Sequence, residues 1–402
     1  MKSVMTILLL TTATALTTIP ARAETVQTKT GDVRVERLAT LEFPWGMTFL
    51  PDGRLLITEK PGRMRIFDNG KLSEPIAGLP KVFYKDQGGL QDVEIDPDFA
   101  SNNLVYFYFV EASDKKPDVQ RDTKDPRLGE FQDLNDVTMR GGAVARGRLE
   151  GGALRDVKVI WRQEPKMSGR NHYGGRLAFA PDGKLFITSG DRQRFDPAQD
   201  LSGNIGKVVR INSDGTIPKD NPFVNKAGAR PDIWSVGHRN PLCAAINPDT
   251  KQLWILEMGP MGGDELNIPE AGKNYGWPVV SNGDNYDGTP IPDHPTRPEF
   301  EAPVTYWQPV ISPSGMIFYA GALFPEWKGN ALVGGLSSES LIRLTLDGNK
   351  VKSEERIAMH RRIRDVIQTP DESIMLLTDA KDGELLRLTP ATTPSRAARP
   401  GD

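Results

Sequence analysis

Apolar stretches of four to six residues recur in pairs along this chain, each pair joined by a tight polar turn carrying proline or aspartate. The copies read F-L-P-D-G-R-L-L-I-T from Phe49, V-E-I-D-P-D-F from Val93 and A-F-A-P-D-G-K-L-F-I-T from Ala178. They continue with A-A-I-N-P-D-T-K-Q-L-W-I-L from Ala244, a looser M-I-F-Y-A-G-A-L-F-P-E-W-K-G-N-A-L-V-G from Met316, and V-I-Q-T-P-D-E-S-I-M-L-L-T from Val366. Apolar runs of this length between Pro/Asp/Gly turns predict β-hairpins. Their repetition predicts an all-β fold, a six-bladed β-propeller of four-stranded antiparallel blades. The run Val33 to Leu41 is expected to complete the last blade and close the ring, which would protect an exposed edge.

The hairpins also predict where the polar residues meet. A hairpin folds back on its turn, so side chains about equally far before and after it return to the same end of the sheet. His172 and Asp191 flank Asp182 in this way, and Arg239 and Gly259 flank Asp249. Gln87 precedes Pro97, and Arg362 and Arg364 precede Asp371, at similar spacings. These residues are expected to converge on one mouth of the central channel, opposite the turns. The long connections Glu111 to Val144, Arg192 to Arg230 and Gly262 to Tyr306 would wall that mouth.

The first 23 residues carry Lys2, a short threonine-rich apolar run and a small-x-small end, the pattern of a secretory signal cut near Ala23. Residues 24–391 are then the propeller and residues 392–402, rich in Pro and Ala, a flexible tail. Export would place the mature chain in the periplasm or outside the cell. Without the leader it has 48 basic and 53 acidic residues, a formal charge of −5. With no basic block and no cationic amphipathic stretch, neither nucleic acid nor stable membrane insertion is expected. Cys243 stands alone in P-L-C-A-A-I, so it forms no intramolecular disulfide and is expected to be buried and inert.

Four histidines are present. His172, in S-G-R-N-H-Y-G-G-R-L, faces Asp191 across its hairpin, and a base oriented by a carboxylate is the usual arrangement for proton abstraction. The competing reading is a solvated structural group. His294 and His360 have no such partner and are expected at the surface. The segment E-M-G-P-M-G-G-D-E-L-N from Glu257 offers backbone carbonyls at Gly259 and Pro260 beside Asp264 and Glu265, which suits a hard cation such as Ca²⁺ or simply a turn. Arg239, Arg362 and Arg364 suggest an anionic ligand, or else pairs with acids such as Asp365.

With these motifs assembled, the chain resembles the soluble quinoprotein glucose and aldose sugar dehydrogenases, six-bladed propellers that use pyrroloquinoline quinone (PQQ) and Ca²⁺. The resemblance rests on F-P-W-G-M-T-F-L-P-D-G, D-Q-G-G-L-Q-D-V, N-H-Y-G-G-R-L, I-T-S-G-D-R, G-K-V-V-R-I-N-S-D-G-T-I-P-K-D-N-P-F, G-H-R-N-P, E-M-G-P-M-G-G-D-E-L-N, N-Y-G-W-P and R-I-R-D-V, in order along the mature chain. It implies that His172 is the general base for an aldose C1 hydroxyl and Asp191 its support, with Arg239 beside the quinone oxygens. It implies that Gln87, Asn240, Arg362 and Arg364 line or contact the cofactor site. Gly259 and Pro260 would hold the axial Ca²⁺ through their carbonyls, and Glu265 and Tyr275 a second, structural Ca²⁺. Trp307 would add to the substrate wall.

Two departures stand out. Where the family has a lysine reaching the quinone, this chain has G-L-S-S-E-S, with Ser337 or Ser338 at that place, and Asn171 replaces an acid found in some relatives. The expected activity is oxidation of aldoses to lactones, with electrons passed to an external acceptor. The alternatives are a non-redox propeller that binds carbohydrate or protein, and a Ca²⁺-dependent lactonase, which would want several carboxylates on its axial metal.

Overall fold

The computed structural model describes residues 24–113, 125–129 and 138–391. The expected signal segment and the tail lie outside these residues, as does part of the Glu111 to Val144 connection. Six antiparallel blades form a ring, and their innermost strands are Pro44–Phe49, Leu90–Ile95, Gly174–Phe179, Pro241–Ile246, Pro313–Phe318 and Ile363–Gln368. We number the blades 1 to 6 in that order. Each innermost strand packs on the next, and the sixth packs on the first.

The second strand of each hairpin is apolar or aromatic over its first three positions, on both faces, because both faces of a blade are covered. In blade 1, Leu55 and Ile57 pack with Met375 and Leu377 of blade 6. Leu56, between them, points the other way, into the cluster with Val93 and Phe107 of blade 2. Blade 6 repeats the pattern, with Ile374 and Leu376 packed toward blade 5. The period-two alternation of a strand therefore feeds two interfaces instead of one core and one solvated face. Cys243 is fully buried between blades 4 and 5, where burial pushes its thiol far above the usual range.

Val33–Leu41 closes the ring as expected. It pairs antiparallel with Gly383–Pro390, Val33 opposite Pro390 and Leu41 opposite Gly383, so the last blade is built from both ends of the described chain. A short fifth strand, Glu24–Val26, adds to its outside.

The axis of the ring is filled. Arg176, on the innermost strand of blade 3, lies with its guanidinium 3.1 Å from Asp92 Oδ1 of blade 2 and 2.9 Å from Asp365 Oδ1 of blade 6. It also donates to the carbonyls of Leu242 in blade 4 (2.7 Å) and Arg364 in blade 6 (3.0 Å), and it stacks on Trp45 of blade 1. Ser314 of blade 5 donates to the same Arg364 carbonyl, so residues of all six inner strands meet in one network. This network forms a polar floor at the level where the site begins.

Candidate active site

A cavity of about 220 Å³ opens above that floor, at the end of the axis away from the hairpin turns. Its wall repeats with the blades. The residue after the second hairpin strand lines it in blade 1 (Lys60), blade 4 (Met258), blade 5 (Leu336) and blade 6 (Asp379). Gln87, Gln91, Tyr173, Gly174, Arg362 and Arg364 contribute from the loops and inner strands.

In blade 3 the equivalent turn carries Asp191, which meets His172 from just before the inner strand. His172 Nδ1 lies 2.7 Å from Asp191 Oδ1, with His172 only 5 % exposed and Asp191 0 %. Asp191 Oδ1 also accepts from the Gln193 amide (2.9 Å), and Oδ2 accepts from Trp277 Nε1 (2.8 Å). Burial alone would raise the Asp191 carboxyl, but the His172 charge and hydrogen bond, with Arg239 nearby, hold it below the usual carboxylate range. An ionised Asp191 is an acceptor only, so Nδ1 is the donor and the imidazole's basic lone pair sits on Nε2.

Local backbone explains why the pair forms. His172 occupies the left-handed region (φ 52°), and its amide donates to Gln87 Oε1 at 2.9 Å. Gly190 crosses so close beneath it that a Cβ there would stand 2.4 Å from the His172 carbonyl oxygen. No other residue type fits that crossing.

Arg239 is joined to this pair through its backbone, since its carbonyl accepts the Asp191 amide at 2.7 Å. Its Nη1 donates to the carbonyls of Met258 and Gly259 at 2.8 Å each, and Nη2 donates to the Tyr286 hydroxyl at 3.2 Å. Asn240 is buried one residue on, accepting the Gly174 amide at 3.1 Å, and the neighbours it positions, Gly174 and Met258, are the ones on the cavity wall. Arg362 and Arg364 are paired, though with Asp379 rather than with Asp365, which belongs to the floor. The charges of Arg364, Lys60 and Arg362 hold the Asp379 carboxyl far below its ordinary value against the opposing effect of burial.

Gly259, Glu265 and Tyr275 border a second, very small cleft of about 10 Å³ next to Arg239 and Trp277. Glu265 there is held by His294 Nε2 (3.3 Å), Asn282 and Asn267, while the Tyr275 hydroxyl donates to the Ile268 carbonyl. His294, expected at the surface, is buried because its one-turn helix His294–Thr296 folds over Glu265. His360 is exposed, as expected. Trp307 also differs from expectation, being packed between blades 4 and 5 with its indole N–H on Glu354 Oε2. Leu336, and neither Ser337 nor Ser338, reaches the cavity wall. Asn171 donates to Gln193 Oε1 at 3.1 Å, beside the His–Asp pair.

The donor set can be tested against the groups the sequence implies. The cavity carries three cationic side chains, Lys60, Arg362 and Arg364, against one carboxylate, Asp379, a balance that suits an anion with several carboxylates such as PQQ. No group of three or more His, Cys, Asp or Glu side chains among the described residues is arranged around a metal. The expected Ca²⁺ site is of another kind, resting on carbonyls. The Gly259 oxygen is turned toward the Arg239 guanidinium, and a cation there would share it with Nη1.

A buried imidazole–carboxylate pair beside a cationic cavity on a six-bladed ring defines an acid–base enzyme site of the propeller class. Residues 41–387 match the family model described as Glucose / Sorbosone dehydrogenase, and the chain belongs to that family. It is 41 % identical over 360 residues to "Aldose sugar dehydrogenase YliI" of Escherichia coli (strain K12), covering 87 % of this chain and 91 % of that one. A solved glucose dehydrogenase is 44 % identical, with a TM-score of 0.80, covering 88 % of this chain and 98 % of the other. The PQQ-bound form of Aldose Sugar Dehydrogenase (Adh) from Streptomyces coelicolor is 26 % identical with a TM-score of 0.69, covering 92 % and 99 %. Membership makes the chain a sugar dehydrogenase, and the reading of a non-redox binding propeller falls away.

Four contributors to this site were not singled out in the sequence: Lys60, Asp379, Trp277 and the floor residue Arg176. Lys60 and Asp379 had a signal, since both directly follow the second strand of a recognised hairpin, as the loop of Gly259 does. Arg176 had one too, a charge inside an apolar strand.

Proposed function

We propose that this protein is an exported, PQQ- and Ca²⁺-dependent aldose dehydrogenase that oxidises the C1 hydroxyl of aldoses to the lactone. The observation that carries the reading is the 2.7 Å contact of His172 with Asp191 at the edge of a cavity whose lining is net positive. When bound, PQQ supplies the two-electron acceptor for the C1 hydride, and Ca²⁺ supplies Lewis-acid polarisation. The chain's own residues do the rest. His172 Nε2 takes the proton of the anomeric hydroxyl, and Asp191 stabilises the imidazolium that forms. Arg239 sets a fixed positive charge where negative charge develops. Arg362 and Arg364 would pair with the cofactor's carboxylates, and Gly259 and Pro260 would offer carbonyl oxygens to Ca²⁺. Glu265 and Tyr275 are assigned to a second, structural Ca²⁺. The electrons leave to an external acceptor.

The test is titration of the metal-free mature protein with PQQ and Ca²⁺, followed by a panel of aldoses with an artificial electron acceptor. Saturable activation near one PQQ per chain is the expected result. No binding and no turnover would overturn the cofactor assignment.

A further inference from the structure

Lys60 is buried at 9 % exposure on the cavity wall, yet it makes no side-chain hydrogen bond or ion pair among the described residues. Its backbone is fixed, the amide donating to the Phe43 carbonyl and the carbonyl accepting the Leu90 amide, each at 3.0 Å. Its ammonium lies over the rings of Phe43 (5.4 Å) and Tyr84 (5.9 Å). The charged groups that act on it are Arg364 and Arg362, which repel it, and Asp379 and Asp86, which attract it. Asp379 is already bonded to both arginines. A buried cation among cations with no anion of its own is costly unless a ligand supplies one.

The blade 5 part of the cavity wall offers no replacement. Blade 5 presents Leu336 there, and the serines at 337 and 338 carry no charge. We propose that Lys60 of blade 1 supplies the positive charge for a cofactor carboxylate that this chain's blade 5 lacks, so that the anionic cofactor is held by Lys60 together with Arg362 and Arg364. The inference rests on the PQQ reading above and deepens it.

Two consequences follow from the chemistry. Lys60 must be protonated to serve, and burial with the neighbouring arginines pushes it down to about 8, so an incoming carboxylate would raise it again and take up a proton. Affinity should then fall as pH rises through 8 and above, and only in proteins that carry the lysine.

The experiment is a fluorescence titration of the mature protein with PQQ at saturating Ca²⁺, at pH 7 and pH 9, for wild type, Lys60→Gln and Lys60→Arg. Thermal melting of each protein confirms folding. The expected result is at least tenfold weaker binding for Lys60→Gln at pH 7, with its pH dependence reduced. Lys60→Arg should bind as wild type at pH 7 and lose less affinity at pH 9. Equal binding by wild type and Lys60→Gln would overturn the role of Lys60 while leaving the dehydrogenase reading in place. Absence of PQQ binding by the wild type would overturn both.

Discussion

Trp277 donates its indole N–H to Asp191 Oδ2 over 2.8 Å, so the carboxylate that orients His172 is itself held from the opposite side by the 262–306 connection. The carboxylate is fully buried, and a hydrogen bond to a buried charged group contributes about 1.5–3 kcal/mol. Trp277→Phe keeps the ring and removes the donor. Turnover is expected to fall about tenfold, with KM for the sugar little changed and the acidic limb of the pH–rate profile displaced. An unchanged profile would mean that the tryptophan only packs.

His172 itself is the stronger test. Replacement by Gln keeps a polar side chain of similar reach but removes the basic Nε2, so sugar-dependent dye reduction should drop by about 10²–10⁴-fold. PQQ binding should be largely retained, because the cationic groups assigned to the cofactor's carboxylates lie on blades 1 and 6. Retained turnover would remove His172 from the role of base.

The pairing of His172 with Asp191 was legible because a hairpin returns equally spaced residues to one level, and the same rule brought Arg239 to Gly259. The closing strand Val33–Leu41 was legible because closing the ring protects its edges. The rule says nothing about what the long connections do once they leave the sheet. Trp277 and Tyr286 reach the site from such a connection, and His294 is buried by a one-turn helix within it. Trp307 was misplaced for a related reason. It sits on an outer strand, Thr305–Trp307, where alternation decides between core and cavity and a one-residue slip reverses the answer.

The floor network predicts a stability effect with no direct part in the chemistry. Arg176→Gln would leave Asp92 and Asp365 facing each other in a buried site, each having lost its cation. Breaking a buried ion pair from one side costs about 3–5 kcal/mol. Urea or thermal unfolding should show a loss of that order, smaller at pH 5 than at pH 8, because burial already raises Asp365 to about 7 and protonation relieves the repulsion. Equal loss at both pH values would argue that the arginine acts through packing on Trp45 alone.

Gly259 tests the carbonyl site. A Cβ there would stand 2.2 Å from the Gly262 oxygen, so Gly259→Ala must displace the loop that presents the carbonyl. The variant is expected to need at least tenfold more Ca²⁺ for half-maximal activation, while still folding in the metal-free state. Chelation of the wild type should abolish activity reversibly. A Gly259→Ala protein with wild-type Ca²⁺ dependence would place the cation elsewhere.

Lys60 predicts how the cofactor-free protein responds to alkali. Its folded value near 8 lies below the unfolded value of 10.5, chiefly because burial disfavours the charged form. Between those two pH values the unfolded chain binds more protons than the folded one, so this group's contribution to stability rises with pH across that window. The full difference corresponds to about 3 kcal/mol. Lys60→Gln, which has no proton to lose, should therefore be more stable than wild type at pH 7 by roughly that amount. The gap should close as pH approaches 10.5, Tyr84 and the acids titrating alike in both proteins. Saturating PQQ should reverse the order at pH 7, since the ligand then stabilises the protein that keeps the cation. A constant difference across the whole range would show that the lysine is already neutral, or already paired, in the free protein.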